Sequence, residues 1–248
     1  MTSSKIIGDG TVGKALAKAM GITAMGPSEE KVSSDVIIIC VPTLTTDGTQ
    51  DLSCVKQALS RIEDTKLVIL RSTVLPGTTE SIQRESMHSI MFVPEWGFEA
   101  TMYDDLANPE YYVLGVTEQS EGLVDLAKRA LPKAKEYEIV SATAAEFSKY
   151  FANIWGSSQV VLANSFYDWV ITQTGNPEVY EQAVQAAKHH KNIPQWGWKV
   201  FDQGFRGYAG KCLPKDTQAA ISQYPSPLWK EFERYNEQLR SISLLENL

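Results

Sequence analysis

The segment "KIIGDGTVGKALAKAM", residues 5–20, decides the fold of the first half of this chain. A short apolar strand runs into Gly8-Asp9-Gly10-Thr11-Val12-Gly13, a G-x-G-x-x-G, and the motif opens a helix. In that setting the glycines let the backbone approach a pyrophosphate, and the helix N-terminus supplies N–H groups to it. The motif alone also fits a plain tight turn; its place between strand and helix favours dinucleotide binding. An acidic residue ~20 positions on usually holds the adenosine ribose. Here "GITAMGPSEEK" offers Gly26-Pro27-Ser28 at the end of the next strand, with Glu29 and Glu30 just beyond. The reading is therefore NAD, with NADP left open. Asp9 puts a negative charge near the phosphates, which this reading does not explain.

Working outward, strands and helices alternate. "GITAM" is a weak strand and "DVIIICVPT" a continuous apolar run of the kind buried in a parallel sheet. "LSCVKQALSRI" follows as a helix, "KLVILRSTV" as a strand, "TTESIQRESM" as a helix, "SIMFVPE" and "EYYVLGVT" as strands, and "EGLVDLAKRAL" as a helix. Strands separated by helices imply right-handed crossovers and an α/β, Rossmann-type doubly wound sheet over residues 1–140. At Ser141 the pattern changes. "SATAAEFSKYFANIWGSSQVVLANSFYDWVITQT" runs without a proline and contains a capping box, Thr143-Ala-Ala-Glu146. It predicts one long helix opening an all-helical domain over residues 141–248. Lys149, Asn153, Ser157, Val160 and Asn164 fall within a sector of about 80° on it, a stripe that is either solvated or functional.

The 23 basic and 30 acidic residues leave a net charge of -7 with no basic block, which argues against nucleic-acid binding. The longest apolar run, "VIIICVP", is too short to cross a bilayer. No basic segment followed by a long apolar one stands at the N-terminus, so no signal peptide is expected. Cys40, Cys54 and Cys212 are an odd number and widely spaced, which points to reduced, metal-free thiols in the cytoplasm.

Chemistry concentrates in a few turns. "GYAGKCLPKD", residues 207–216, holds Cys212 between Lys211 and Lys215, with Pro214 suited to the first turn of a helix. Positive charge and a helix N-terminus both favour a nucleophilic thiolate, whereas a lone cysteine is otherwise a small packed hydrophobe. "CVPT" (with Val41, Pro42 and Thr43) and "RSTV" (with Ser72 and Thr73) each end a strand. Ligands bind beyond strand C-termini in open parallel sheets, so these loops and Glu95 of "FVPEW" are expected to converge on one cleft. Singly, each hydroxyl is better explained by turn bonding. His189 and His190 are adjacent, diverge by about 100° on a helix and cannot share a metal.

Taken in order, "GDGTVG", "VIIICVPT", "RSTVLPGTT", "VPEWGFEATMYDDLANPEYYVLG", "AAEFSKYFAN" and "GYAGKCLPKD" resemble the nucleotide-sugar 6-dehydrogenases, the UDP-glucose and GDP-mannose enzymes, over nearly the whole chain. The resemblance implies NAD-dependent oxidation of a primary alcohol to a carboxylate. It makes Cys212 the nucleophile that forms a thiohemiacetal and then a thioester, Lys149 an oxyanion stabiliser, Asn153 its neighbour in the oxyanion pocket, and Asp216 a carboxylate that orders water. Thr73 and Glu95 match residues near the catalytic water and nicotinamide. Gly8, Gly10, Thr11, Val12, Gly13, Val41, Pro42, Thr43, Ser72, Thr73 and Lys215 fall to the cofactor. The substrate class implied is a nucleotide sugar or sugar phosphate, and the long helix implies a homodimer.

The chain departs from the family in four places. The family's C-terminal nucleotide-binding domain has no counterpart in these 248 residues. The segment between Met20 and Asp35 is compressed, the double glycine before the cysteine reads Ala209-Gly210, and a tryptophan-rich stretch replaces an Arg-Ile-Gly element. Two other readings stay open: a two-electron hydroxyacid or sugar-phosphate dehydrogenase needing Lys149 but no thiol, and a cofactor-binding subunit without turnover.

Overall fold

The computed structural model describes residues 2–97, 100–202 and 204–246. Phe98 and Glu99, which fall in "VPEWGFEATMYDDLANPEYYVLG", lie outside the described residues, as does Gln203. The chain divides into two compact units, residues 1–46 with 50–149 and residues 47–49 with 150–248.

The first unit is built on a sheet that has seven strands among the described residues: β1 (Ser4–Ile7), β2 (Ala24–Met25), β3 (Val36–Ile39), β4 (Leu67–Leu70), β5 (Ile90–Phe92), β6 (Tyr111–Val116) and β7 (Glu136–Ser141). Their spatial order is β7-β6-β5-β4-β3-β1-β2. Pairing is parallel from β2 to β5, with Ile6 opposite both Ala24 and Ile38, and Ile38 opposite Ile69. The run "VIII" is apolar at every position because both faces are covered. Ile6, Ile38 and Ile69 enter one core and Ile7, Ile37, Ile39 and Val68 the other. Helices α1 (Thr11–Met20), α2 (Ser53–Ser60), α3 (Thr78–Glu85), α4 (Met102–Ala107) and α5 (Val124–Ala130) connect or flank the strands.

Two features correct the sequence reading of this unit. Strand β6 runs antiparallel to β5, so the sheet is mixed, and β7 then pairs parallel to β6. No run of apolar residues announces β7: "EYEIVS" is a mostly exposed edge strand held by its pairing.

Helix α6 (Ala142–Thr174) is one unbroken helix of 33 residues, as its sequence predicts. Its expected capping box does not form. Ser141 Oγ accepts from the Ala144 N–H instead, and the Glu146 carboxylate reaches Gly77 N (2.6 Å) and Thr79 N (2.7 Å), capping α3. Burial pushes the Glu146 carboxyl above its ordinary value, against the pull of those hydrogen bonds from Thr79 and Gly77.

In the second unit, Gly175 ends α6 and Asn176 caps α7 (Pro177–Ala187) by accepting from Glu178 N at 3.0 Å. A hairpin of two-residue strands, Phe201–Asp202 and Phe205–Arg206, interrupts the expected all-helical course before α8 (Leu213–Gln223) and α9 (Pro227–Glu246). Tyr180, Val184 and Val200 form a small core with Tyr167, Val170 and Trp198. Among the described residues no helix is long and apolar enough to cross a membrane.

Candidate active site

The glycine loop is shaped as its sequence requires. Gly8 has φ +115°, where a Cβ would collide with the Cys40 carbonyl, and a Cβ on Gly13 would collide with the Gly8 carbonyl, so helix and strand pack without side chains between them. Gly10 differs: its φ of -72° suits any residue and nothing lies within 4 Å of its Cβ position. No side chain caps α1, and no acidic residue stands in its first turn. Unclaimed N–H groups at a helix start are what a phosphate needs. A cleft of about 270 Å³ opens here, lined by Gly8, Asp9 and Gly10 after β1, by Gly26, Pro27 and Ser28 after β2, and by Val41 and Pro42 after β3. It lies where the strand order reverses between β1 and β3, the usual place for a dinucleotide in such sheets. The residues present therefore fit the cofactor.

The hydroxyls of the neighbouring loops do the work that turn chemistry gives them. Ser72 Oγ donates to Val41 O at 2.7 Å and accepts from Val41 N at 3.0 Å, while Thr43 Oγ1 donates to Thr73 O at 2.6 Å. They tie "CVPT" to "RSTV", and Thr73 itself is half-buried. Glu95 is buried. Its Oε2 accepts from Arg71 Nη2 at 2.5 Å, its Oε1 from Gly97 N, and its backbone carbonyl from Lys149 Nζ. Lys149 Nζ also stands 5.4 Å from the centre of the Trp96 ring. Arg71, which the sequence reading passed over, thus fixes the loop that carries Glu95 beneath Lys149.

In the second unit Cys212 is exposed at the N-cap of α8, with its carbonyl accepting from Asp216 N at 3.0 Å. Asp216 is fully buried. Its Oδ2 accepts from Asn153 Nδ2 at 2.6 Å and its Oδ1 from Lys215 Nζ at 2.5 Å, so the Lys215 ammonium is directed to Asp216. One turn further along α6, Ser157 meets Thr217 at 3.0 Å, and Asn164 Oδ1 accepts from Arg206 Nε at 3.0 Å. The polar stripe of α6 from Asn153 to Asn164 is thus buried and paired. Asn236 was not foreseen: its Oδ1 accepts from Tyr208 N at 2.7 Å and its Nδ2 donates to Tyr208 O at 3.2 Å, anchoring the cysteine turn on α9. Gly207, at φ +78°, leaves room for that contact, since a Cβ would stand 2.5 Å from Asn236 Oδ1. A lone Asn inside "FERYNEQL" was the available signal. The other thiols differ in kind. Cys40 is buried and desolvation pushes it up to about 12, while Cys54 is half-buried on α2.

Residues 5–131 match the NAD binding domain of the UDP-glucose/GDP-mannose dehydrogenase family, and residues 143–238 match its central domain. A UDP-N-acetyl-D-mannosamine dehydrogenase from Pyrococcus horikoshii is 28% identical over 208 residues, covering 78% of this chain and 47% of that protein. A UDP-glucose 6-dehydrogenase from Haloferax volcanii is 28% identical over 218 residues, covering 78% and 49%. The structure of a UDP-glucose dehydrogenase from Pyrobaculum islandicum superposes with a TM-score of 0.75 at 22% identity, over 96% of this chain and 68% of that one, a likeness of fold. The chain spans about half the length of the curated relatives it matches. With both domain matches following one another in order, this chain belongs to the UDP-glucose/GDP-mannose dehydrogenase family.

Proposed function

We propose that this protein oxidises the primary alcohol of a nucleotide sugar to a carboxylate through a covalent intermediate on Cys212. The observation that carries the reading is the exposed Cys212 thiol at the N-cap of α8, four residues before a buried Asp216 held by Asn153 and Lys215. NAD held against the glycine loop of Gly8, Gly10 and Gly13 would supply the hydride acceptor for each of two oxidations. Cys212 sulfur adds to the aldehyde carbon formed by the first, giving a thiohemiacetal, and the second leaves a thioester. Water then adds to the thioester carbonyl, the C–S bond breaks, and acid and free thiol are released. Lys149 and Asn153 steady the oxyanions of these steps, Asp216 helps order the water, and Thr73 and Glu95 act near that water and the nicotinamide. The balance is one alcohol, one water and two NAD giving one carboxylate, two NADH and three protons. Three unpaired cysteines suit a reducing compartment, so we place the protein in the cytoplasm.

Incubation with NAD and a panel of nucleotide sugars and sugar phosphates tests this, with two NADH expected per carboxylate. One NADH per substrate and full turnover by Cys212→Ala would instead support the two-electron dehydrogenase. NADH binding with no turnover on any alcohol would support the non-catalytic subunit.

The reading includes a homodimer. Phe151, Trp155, Leu162, Phe166 and Trp169 are all exposed on α6 and lie within a sector of about 60°. So contiguous an apolar stripe is unusual on a monomer's surface. A dimer mass is expected in sedimentation at micromolar concentration, and Trp155→Asp should shift it toward monomer.

A further inference from the structure

The ribose end of the cleft lacks the carboxylate that usually follows β2, and Glu29 and Glu30 do not line the cleft. Asp9 does, from within the glycine loop. The loop is fastened to β2 by the bond from Gly8 N to Met25 O, 2.8 Å, and this carries the next residue across to the strand end. There the Asp9 carboxylate lies against Gly26: a Cβ on Gly26 would stand 3.1 Å from Asp9 Oδ2 and 3.5 Å from Oδ1. The nearby cation is Arg61, which lines the same cleft. Arg61 is buried, donating from Nε to Glu30 O at 3.1 Å and from Nη1 to Gly26 O at 3.0 Å, and so holds the 26–30 segment from beneath. Its Nη2 is left without a hydrogen-bond partner among the described residues, so the exposed charge at this end of the cleft is Asp9, with a buried cation near it.

We propose that Asp9 is the specificity-determining residue for the cofactor, taking the place of the missing carboxylate after β2: it accepts from the adenosine ribose hydroxyls and repels a 2′-phosphate. A carboxylate is an acceptor for a diol and a like charge for a phosphate, so one group both selects NAD and rejects NADP. This rests on the reading of residues 5–131 as an NAD-binding domain. It also accounts for a charge that no phosphate contact explains, and for Gly26, whose lack of a side chain leaves the carboxylate its place.

Calorimetric titration of the full chain with NADH and with NADPH tests the assignment. The wild type should bind NADH more tightly by roughly tenfold or more, a gap of the size one close charge contact can set. Asp9→Asn and Asp9→Ala should each shrink that preference by about tenfold, chiefly by admitting NADPH. Gly26→Ala, which crowds the carboxylate, should move the ratio the same way. A wild type that prefers NADH with an unchanged ratio in all three variants overturns the role of Asp9, as does a wild type that prefers NADPH. Failure to bind either dinucleotide overturns the cofactor reading itself and is distinguishable from both.

Discussion

Asn153 Nδ2 donates to Asp216 Oδ2 at 2.6 Å, joining the middle of the longest helix to the first turn of the helix that begins at the cysteine. Both side chains are buried, and the second Asp216 oxygen is taken by Lys215. Asn153→Ala leaves a buried carboxylate short of one donor, which should lower stability by about 1–3 kcal/mol. Asn153→Asp sets two carboxylates together in a buried place and should cost more than Asn153→Ala at neutral pH. Chemical denaturation of the three proteins at neutral pH checks this; equal stabilities would remove Asn153 from any role in fixing Asp216.

The thiols should separate by accessibility. Iodoacetamide is expected to modify Cys212 first, Cys54 slowly, and Cys40 only on unfolding, since Cys40 is buried and held in its neutral form by desolvation. Peptide mapping after timed quenching reads the order. Cys212→Ser should halt carboxylate formation while NADH still binds. Lys149→Ala should slow turnover by about 100-fold without abolishing it, as loss of one oxyanion donor does. A fully active serine variant removes Cys212 from the chemistry.

Gly10→Val separates fold from cofactor. Nothing lies within 4 Å of the Gly10 Cβ position and its φ is ordinary, so the variant should melt within a few degrees of wild type. The added side chain projects from the loop that must approach the pyrophosphate, so NADH binding should be lost. Retained affinity in calorimetry would falsify the placement of the cofactor on this loop.

Glu146 gives a pH signature. Because burial raises its carboxyl in the folded state, the fold holds the proton more tightly than the unfolded chain does. Its contribution is greatest below the ordinary value of 4.5 and declines as pH rises from there through the raised folded value. Glu146→Ala also strips two acceptors from the start of α3 and should cost about 1–3 kcal/mol. The gap between variant and wild type should narrow from pH 4.5 to 7. A gap that widens contradicts the raised carboxyl.

The sequence by itself determined whatever depends on neighbours along the chain. Residues 5–20 specify strand, glycine loop and helix because φ, chain reach and helix start are local properties. "VIII" names a buried central strand because every position is apolar, and Pro214 after Cys212 marks where α8 begins. Tertiary structure decided the rest. The periodicity of α6 separates a polar face from an aromatic one without saying which turns inward. Asp216, Thr217 and Arg206 settle it, since their hydrogen bonds give the buried Asn153, Ser157 and Asn164 partners beyond their own helix, and the aromatic face is left outside. Glu146 sits where a capping box would use it, yet the N-terminus of α3 competes for it and wins with two N–H groups. Strand β7 has almost no apolar signature because an edge strand owes its existence to the partner beside it. Asp9 and Gly26 are 17 positions apart, and only the pairing of β1 with β2 brings the carboxylate of one to the Cα of the other.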